Sequence, residues 1–154
     1  MTVEDRLNQH HIILPEVTTP AAAYVPYQIG GRTVYVSGQL PFLNGEITQK
    51  GHLGADVSVE QGQATARTCA LNVLAHLKNA CDGNLNRVTK TLKLEILVAS
   101  TPDFTEPHIV ANGASQVILD VLGKEVGSHA RVAYGVSTLP MGVAVEVAGT
   151  FEIS

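Results

Sequence analysis

Two stretches of the chain carry apolar residues at helical spacing, and four carry them in alternation. Ala66, Cys69, Ala70, Val73, Leu74, Leu77 and Cys81 fall on one helix face, opened by Ser58 with Gln61 three residues on and stopped by Gly83. A second helix runs from about Pro107 to Leu122, with Val110, Ala114, Val117, Ile118 and Val121 as its stripe and Gly123 as its cap. "RTVYVSG" is the first firm strand, followed by a hairpin-like link, "PFLNGEITQ", whose Asn44-Gly45 is a strong turn signal. In "RVTKTLKLEILVAS" a long strand turns Val88, Leu92, Leu94, Ile96 and Val98 inward, against Thr89, Thr91, Lys93 and Glu95.

The last 27 residues, "SHARVAYGVSTLPMGVAVEVAGTFEIS", read as two strands joined through Leu139-Pro140-Met141-Gly142, the pattern of an antiparallel hairpin. Alternation places Val132, Tyr134, Val136 and Thr138 on one side of the first strand and Arg131, Ala133, Gly135 and Ser137 on the other. The second strand separates bulky Val143, Val145, Val147 and Phe151 from small Ala144, Ala148 and Thr150, with Glu146 among the small set. A turn pairing Thr138 with Val143 puts Arg131 and Glu146 on one small-residue face, roughly 13 Å apart along the strand and too far for an ion pair. Such a face leaves room for a ligand or another subunit, and water is the plain alternative.

Ahead of these elements, Val3 to Gln9 predicts a short helix, and "ILPEVTTPAAAYVPY" predicts an extended arm or edge strand because its prolines cannot donate to a ladder. The order strand, strand, helix, strand, helix, strand, strand predicts one α+β domain over residues 1–154, with both helices on one face of a mixed sheet. The uncovered face is expected to carry Arg131, Glu146, Thr89, Thr91 and Lys93, and to drive oligomerisation.

Composition sharpens this picture. At 154 residues with 45% hydrophobic and only 16% charged residues, the chain can bury a proper core without metal or disulfide. A net charge of -4 and no Lys/Arg cluster speak against nucleic acid as a partner. No apolar run approaches a membrane span and "MTVEDRLNQHH" has no signal-peptide pattern, so a cytoplasmic location is expected, with no membrane partner. Cys69 and Cys81, about 18 Å apart along one helix, read as reduced core thiols. His10-His11 lacks a third ligand, so no metal site is expected.

"YVSGQLP" at 35–41, "HAR" followed eight residues after the arginine by "LP", and "VEV" at 145–147 resemble the Rid (reactive intermediate deaminase) family, also called YjgF and formerly labelled endoribonuclease L-PSP. The resemblance runs from about Pro20 to the C-terminus. It implies a chorismate-mutase-like α+β fold, a homotrimer with its sheets packed as a barrel, and clefts between subunits. It further implies hydrolysis of enamines and imines, such as 2-aminoacrylate and 2-iminobutyrate, to 2-keto acids and ammonia, with no cofactor. The family's substrate-binding arginine falls on Arg131 and its acidic residue on Glu146. Its cleft tyrosine, thirteen residues before Ser37, falls on Tyr24, the motif glycine on Gly38, and the second-helix asparagine on Asn112 across a short insertion.

These types suit imine hydrolysis. A guanidinium grips a planar carboxylate through two parallel charge-assisted bonds, so Arg131 is the expected anchor. A carboxylate such as Glu146 can position water or shuttle a proton. Gly38 permits close backbone approach, and Tyr24 offers a wall and a hydroxyl. Two departures from better-known members stand out: Ala133 where a cysteine is common, and His129 where a proline is. His129 lies two before Arg131, on the same strand face, which would allow proton transfer. The alternative in another class is a non-catalytic protein that binds a small carboxylate in the same cleft.

Overall fold

A computed structural model describes residues 1–17 and 22–154. Helix α1 (Val3–Gln9) is capped by Thr2, which forms a reciprocal box with Asp5. The middle of the proline-containing arm, residues 18–21, lies outside the described residues, and the arm leads into edge strand β1 (Tyr27–Gly30). That strand pairs antiparallel with β2 (Thr33–Gln39). A small hairpin follows, β3 (Phe42–Leu43) and β4 (Glu46–Ile47). Asn44 and Gly45 adopt φ of 53° and 81°, as its two-residue turn requires.

Helix α2 (Val59–Ala80) starts where expected, with Ser58 and Gln61 exchanging side-chain to backbone bonds. Its stripe is fully buried, and Cys81 is its buried C-cap. After a short 3-10 turn comes β5 (Val88–Ala99), then α3 (Pro107–Gly127), β6 (Ala130–Val136) and β7 (Val145–Ile153). Gly123, expected to end the second helix, instead kinks it with φ of 81°, and one more turn runs on to Gly127. Both long helices pack on one face of a mixed sheet of order β1-β2-β7-β5-β6, α2 crosses α3 closely, and α1 lies against α3. The core lies between helices and sheet, around Leu74, Leu77, Leu94, Ile96, Ile118, Val147 and Phe151. No helix among the described residues is long and apolar enough to cross a membrane.

The expected C-terminal hairpin does not form. Strand β6 pairs parallel with β5, and β7 lies on the other side of β5, antiparallel to it and to β2. The link between them is therefore a crossing over the end of β5. It spans two strand spacings, about 10 Å, which the eight residues from Ser137 to Ala144 cover easily. Leu139 and Val143 are buried against Ala99 as they pass, forming a small second core. Burial of these two side chains and the fully buried face of β5 favour straddling over folding back.

A further expectation fails within β5. Register shifts against β7 fall between Val88 and Lys90 and between Thr91 and Lys93. Each bulge reverses the alternation. Thr91 is consequently buried beside Phe151, its hydroxyl without a hydrogen-bond partner, and Leu92 is exposed.

Candidate functional site

Pairing across β5 decides where the two charges point, because residues opposite one another in a ladder share a face. Leu94, fully buried beneath the helices, stands opposite both Arg131 on β6 and Gly149 on β7. Leu97, on the other face, stands opposite Tyr134 and Glu146. Arg131 thus lies on the helix side at the sheet edge and Glu146 on the open side. The expected shared face is overturned, and with it the placing of Arg131 beside Thr91 on the uncovered side. Counting two strand spacings and three residues, their α-carbons are about 14 Å apart with side chains diverging.

Arg131 leans onto α3. Its Nη1 donates to Asn112 Oδ1 at 2.8 Å and to Ser115 Oγ at 3.2 Å, and its Nη2 donates to the His108 carbonyl at 3.2 Å. His108, Asn112 and Ser115 follow one another at helical spacing on the face opposite the buried Val110, Ala114 and Val117 stripe. A guanidinium has five N–H donors, so among the described residues Nε–H and one Nη2–H are left for a ligand. The residue is exposed at the sheet edge.

His129 joins the same group, though not by direct contact with Arg131. Its Nδ1 lies 2.7 Å from the Gly127 carbonyl, and its Nε2 lies 2.9 Å from Ser115 Oγ. A carbonyl only accepts, so Nδ1 carries a proton; in the neutral tautomer that this fixes, Nε2 is the acceptor and the Ser115 hydroxyl donates to it. Sequence reasoning passed over Ser115. Its signal was the polar 108, 112, 115 spacing on a helix whose other face is wholly apolar.

Glu146 is half-buried in the row Tyr134, Leu97, Glu146. Burial holds its carboxyl above the ordinary glutamate range. Gly38, brought beside it by the register shift between Val36 and Gln39 on β2, leaves space that the carboxylate occupies. A Cβ on Gly38 would overlap Glu146 Oε2. Tyr24 is exposed just before β1. The next residue, Val25, accepts through its carbonyl from Ser37 Oγ at 2.7 Å, which ties Tyr24 to the neighbourhood of Gly38.

The five expected site residues therefore fall into two groups: Arg131 with Asn112, and Glu146 with Gly38 and, nearby, Tyr24. Two grooves of the chain, of about 780 and 670 Å³, contain none of them. Cys69 donates to the Val145 carbonyl at 3.4 Å, and complete burial raises its thiol well above the ordinary range, which keeps it a protonated packing residue. The open face exposes Tyr35, Leu92, Val132 and Tyr134 around the Lys93–Glu95 ion pair.

Residues 4–149 match a family model described as "YjgF/chorismate mutase-like, putative endoribonuclease". Among curated proteins, Protein TCP17 of Trypanosoma cruzi is 47% identical over 99% of this chain and 94% of its own. The crystal structure of Atu1372 of Agrobacterium tumefaciens, a protein of unknown function, superposes with a TM-score of 0.91 at 45% identity, covering 99% of this chain and 92% of that one. Farther away, Escherichia coli TdcF with bound serine shares the fold, with a TM-score of 0.60 at 22% identity over 91% of this chain and 93% of that one.

Proposed function

The chain belongs to the YjgF/chorismate mutase-like family, and from that premise we propose that it hydrolyses 2-imino and enamine acids of the 2-iminobutyrate and 2-aminoacrylate type to 2-keto acids and ammonia. The reading rests on how Arg131 is held: three bonds to α3 fix the guanidinium while Nε–H and one Nη2–H stay free. That is the donor pair a substrate carboxylate needs. The serine bound to TdcF is a small amino-acid carboxylate of the same kind, in keeping with this reading.

Glu146 supplies the second half. In the proposed step the water oxygen bonds to the iminium carbon as the C=N electron pair moves to nitrogen, and Glu146 takes the water's proton. The carbinolamine then collapses. Its C–N bond breaks as nitrogen takes that proton from Glu146 and leaves as ammonia, while the hydroxyl oxygen becomes the keto oxygen and gives its own proton to the freed Glu146 carboxylate, which passes it to solvent or to the departing ammonia. A carboxylate held above its ordinary range is suited to giving the proton back. One chain sets Arg131 and Glu146 on opposite faces, so the cleft of this reading takes Arg131 from one subunit and Glu146 from the next in a homotrimer. The apolar residues exposed on the open face are in keeping with such an assembly.

The endoribonuclease label of the family description is not adopted, because a chain of net charge -4 without a basic cluster lacks the cations a phosphate backbone needs. The test is ammonia and keto-acid release from imino acids generated in situ, against spontaneous hydrolysis. Arg131→Ala is expected to lose about a hundredfold or more in kcat/KM, as removal of a charge-assisted pair does. Saturable keto-acid binding without turnover would instead identify a carboxylate-binding protein that uses the same arginine.

A further inference from the structure

Ser115 sits in the interior of α3, where a serine hydroxyl ordinarily bonds back to the carbonyl four residues earlier. In this chain it does not. Its proton goes to His129 Nε2, which leaves the oxygen lone pairs to accept from Arg131 Nη1. The histidine ring cannot swing away freely, because Nδ1–H is held by the Gly127 carbonyl two residues earlier. Gly127 in turn sits at the end of the extra turn that follows the Gly123 kink. A continuous chain therefore runs from the Gly127 carbonyl through His129 and Ser115 to the guanidinium.

We propose that Ser115 and His129 form a positioning relay for Arg131, fixing the guanidinium plane so that its Nε–H and Nη2–H edge is presented to the carboxylate of the ligand. The proposal rests on the reading of Arg131 as carboxylate anchor. Arginine on an exposed strand edge has many rotamers to lose on binding. Asn112 and the His108 carbonyl restrain two directions, and the relay supplies a third whose polarity is set by the histidine tautomer. Neither Ser115 nor His129 touches the ligand in this scheme. Each acts through Arg131.

The probe is 2-oxobutyrate, a stable keto acid of the product class, titrated calorimetrically into the full-length protein. Ser115→Ala and His129→Ala are each expected to raise Kd about five- to tenfold, the scale of one lost hydrogen bond. The double variant is expected to be no worse than either alone, since both interrupt one chain. His129→Gln restores most of the affinity, because an amide oxygen can accept the Ser115 proton. With an imino-acid substrate the loss falls on KM more than on kcat.

Additive losses in the double variant, or failure of His129→Gln to restore affinity in a folded protein, would overturn the relay. If the single variants bind like wild type while Arg131→Lys loses binding, the relay falls and the anchor stands. If Arg131→Lys also binds like wild type, or wild type does not bind the probe, both fall.

Discussion

The Arg131 half of the site and the Glu146 half solve opposite electrostatic problems. Arg131 is exposed at a sheet edge, keeps its charge in water, and needs order, which α3 supplies through Asn112, Ser115 and the His108 carbonyl. Glu146 is already ordered by a central strand, but it is half-buried, and desolvation penalises its charged form. In the proposed deaminase, one half is a fixed cation for holding a ligand and the other a carboxyl suited to exchanging a proton. Building them on opposite faces of one sheet lets each environment be set independently. The consequence is that a single chain does not bring them together.

The sharpest way to break this comparison is to divide it between chains. Arg131→Ala and Glu146→Gln variants, each inactive alone, are expected on co-expression to recover roughly a quarter of wild-type deaminase activity, since one interface in four pairs the intact halves in a randomly mixed ring. No recovery would mean that both halves serve one chain's own site, and the two-face account would be wrong.

Next in size is Gly38→Ala. The new methyl overlaps Glu146 Oε2 and must push the carboxylate aside. A displacement of this order is expected to lower kcat about a hundredfold. Calorimetric binding of 2-oxobutyrate at Arg131 should stay within about twofold of wild type, because the change touches only one half. Equal damage to both would show the halves to be coupled.

The smallest effect is on stability. Glu146 titrates above its unfolded value, so the native state holds the proton more tightly and the charged form weighs against folding. That penalty is complete above the raised native value, shrinks as pH falls through it, and is gone below the ordinary glutamate value. Glu146→Gln should therefore melt higher than wild type at neutral pH, by at most about 2 °C for a half-exposed group, with the difference vanishing in acid. Differential scanning calorimetry across pH measures it, and a Gln variant less stable at neutral pH would contradict the desolvation account.

Much of the scaffold was legible because it depends on near neighbours. The Ser58–Gln61 box, the stripe of α2, the Asn44-Gly45 turn and the α1 helix all follow from contacts within a few residues. Gly123, expected as the cap that ends the helix, is a kink inside it, and the further turn beyond it positions Gly127 for His129. Thr91 and Leu92 were inverted because a bulge leaves no mark on the alternation that precedes it. Asn112 reaches Arg131 because helical spacing carries it to the same face as Ser115.

By itself the sequence determined the family the chain belongs to and the α+β layering, because these are properties of residue type, spacing and local periodicity. Strand partners are another matter. An alternating run with a turn beside it is equally compatible with folding back on its neighbour and with stepping across a third strand. Only the tertiary structure decided between them, by the burial of Leu139 and Val143 over Ala99 and by the space on both sides of β5. That choice reversed the facing of Arg131 relative to Glu146, and so decided that the two halves of the proposed site look away from each other within one chain.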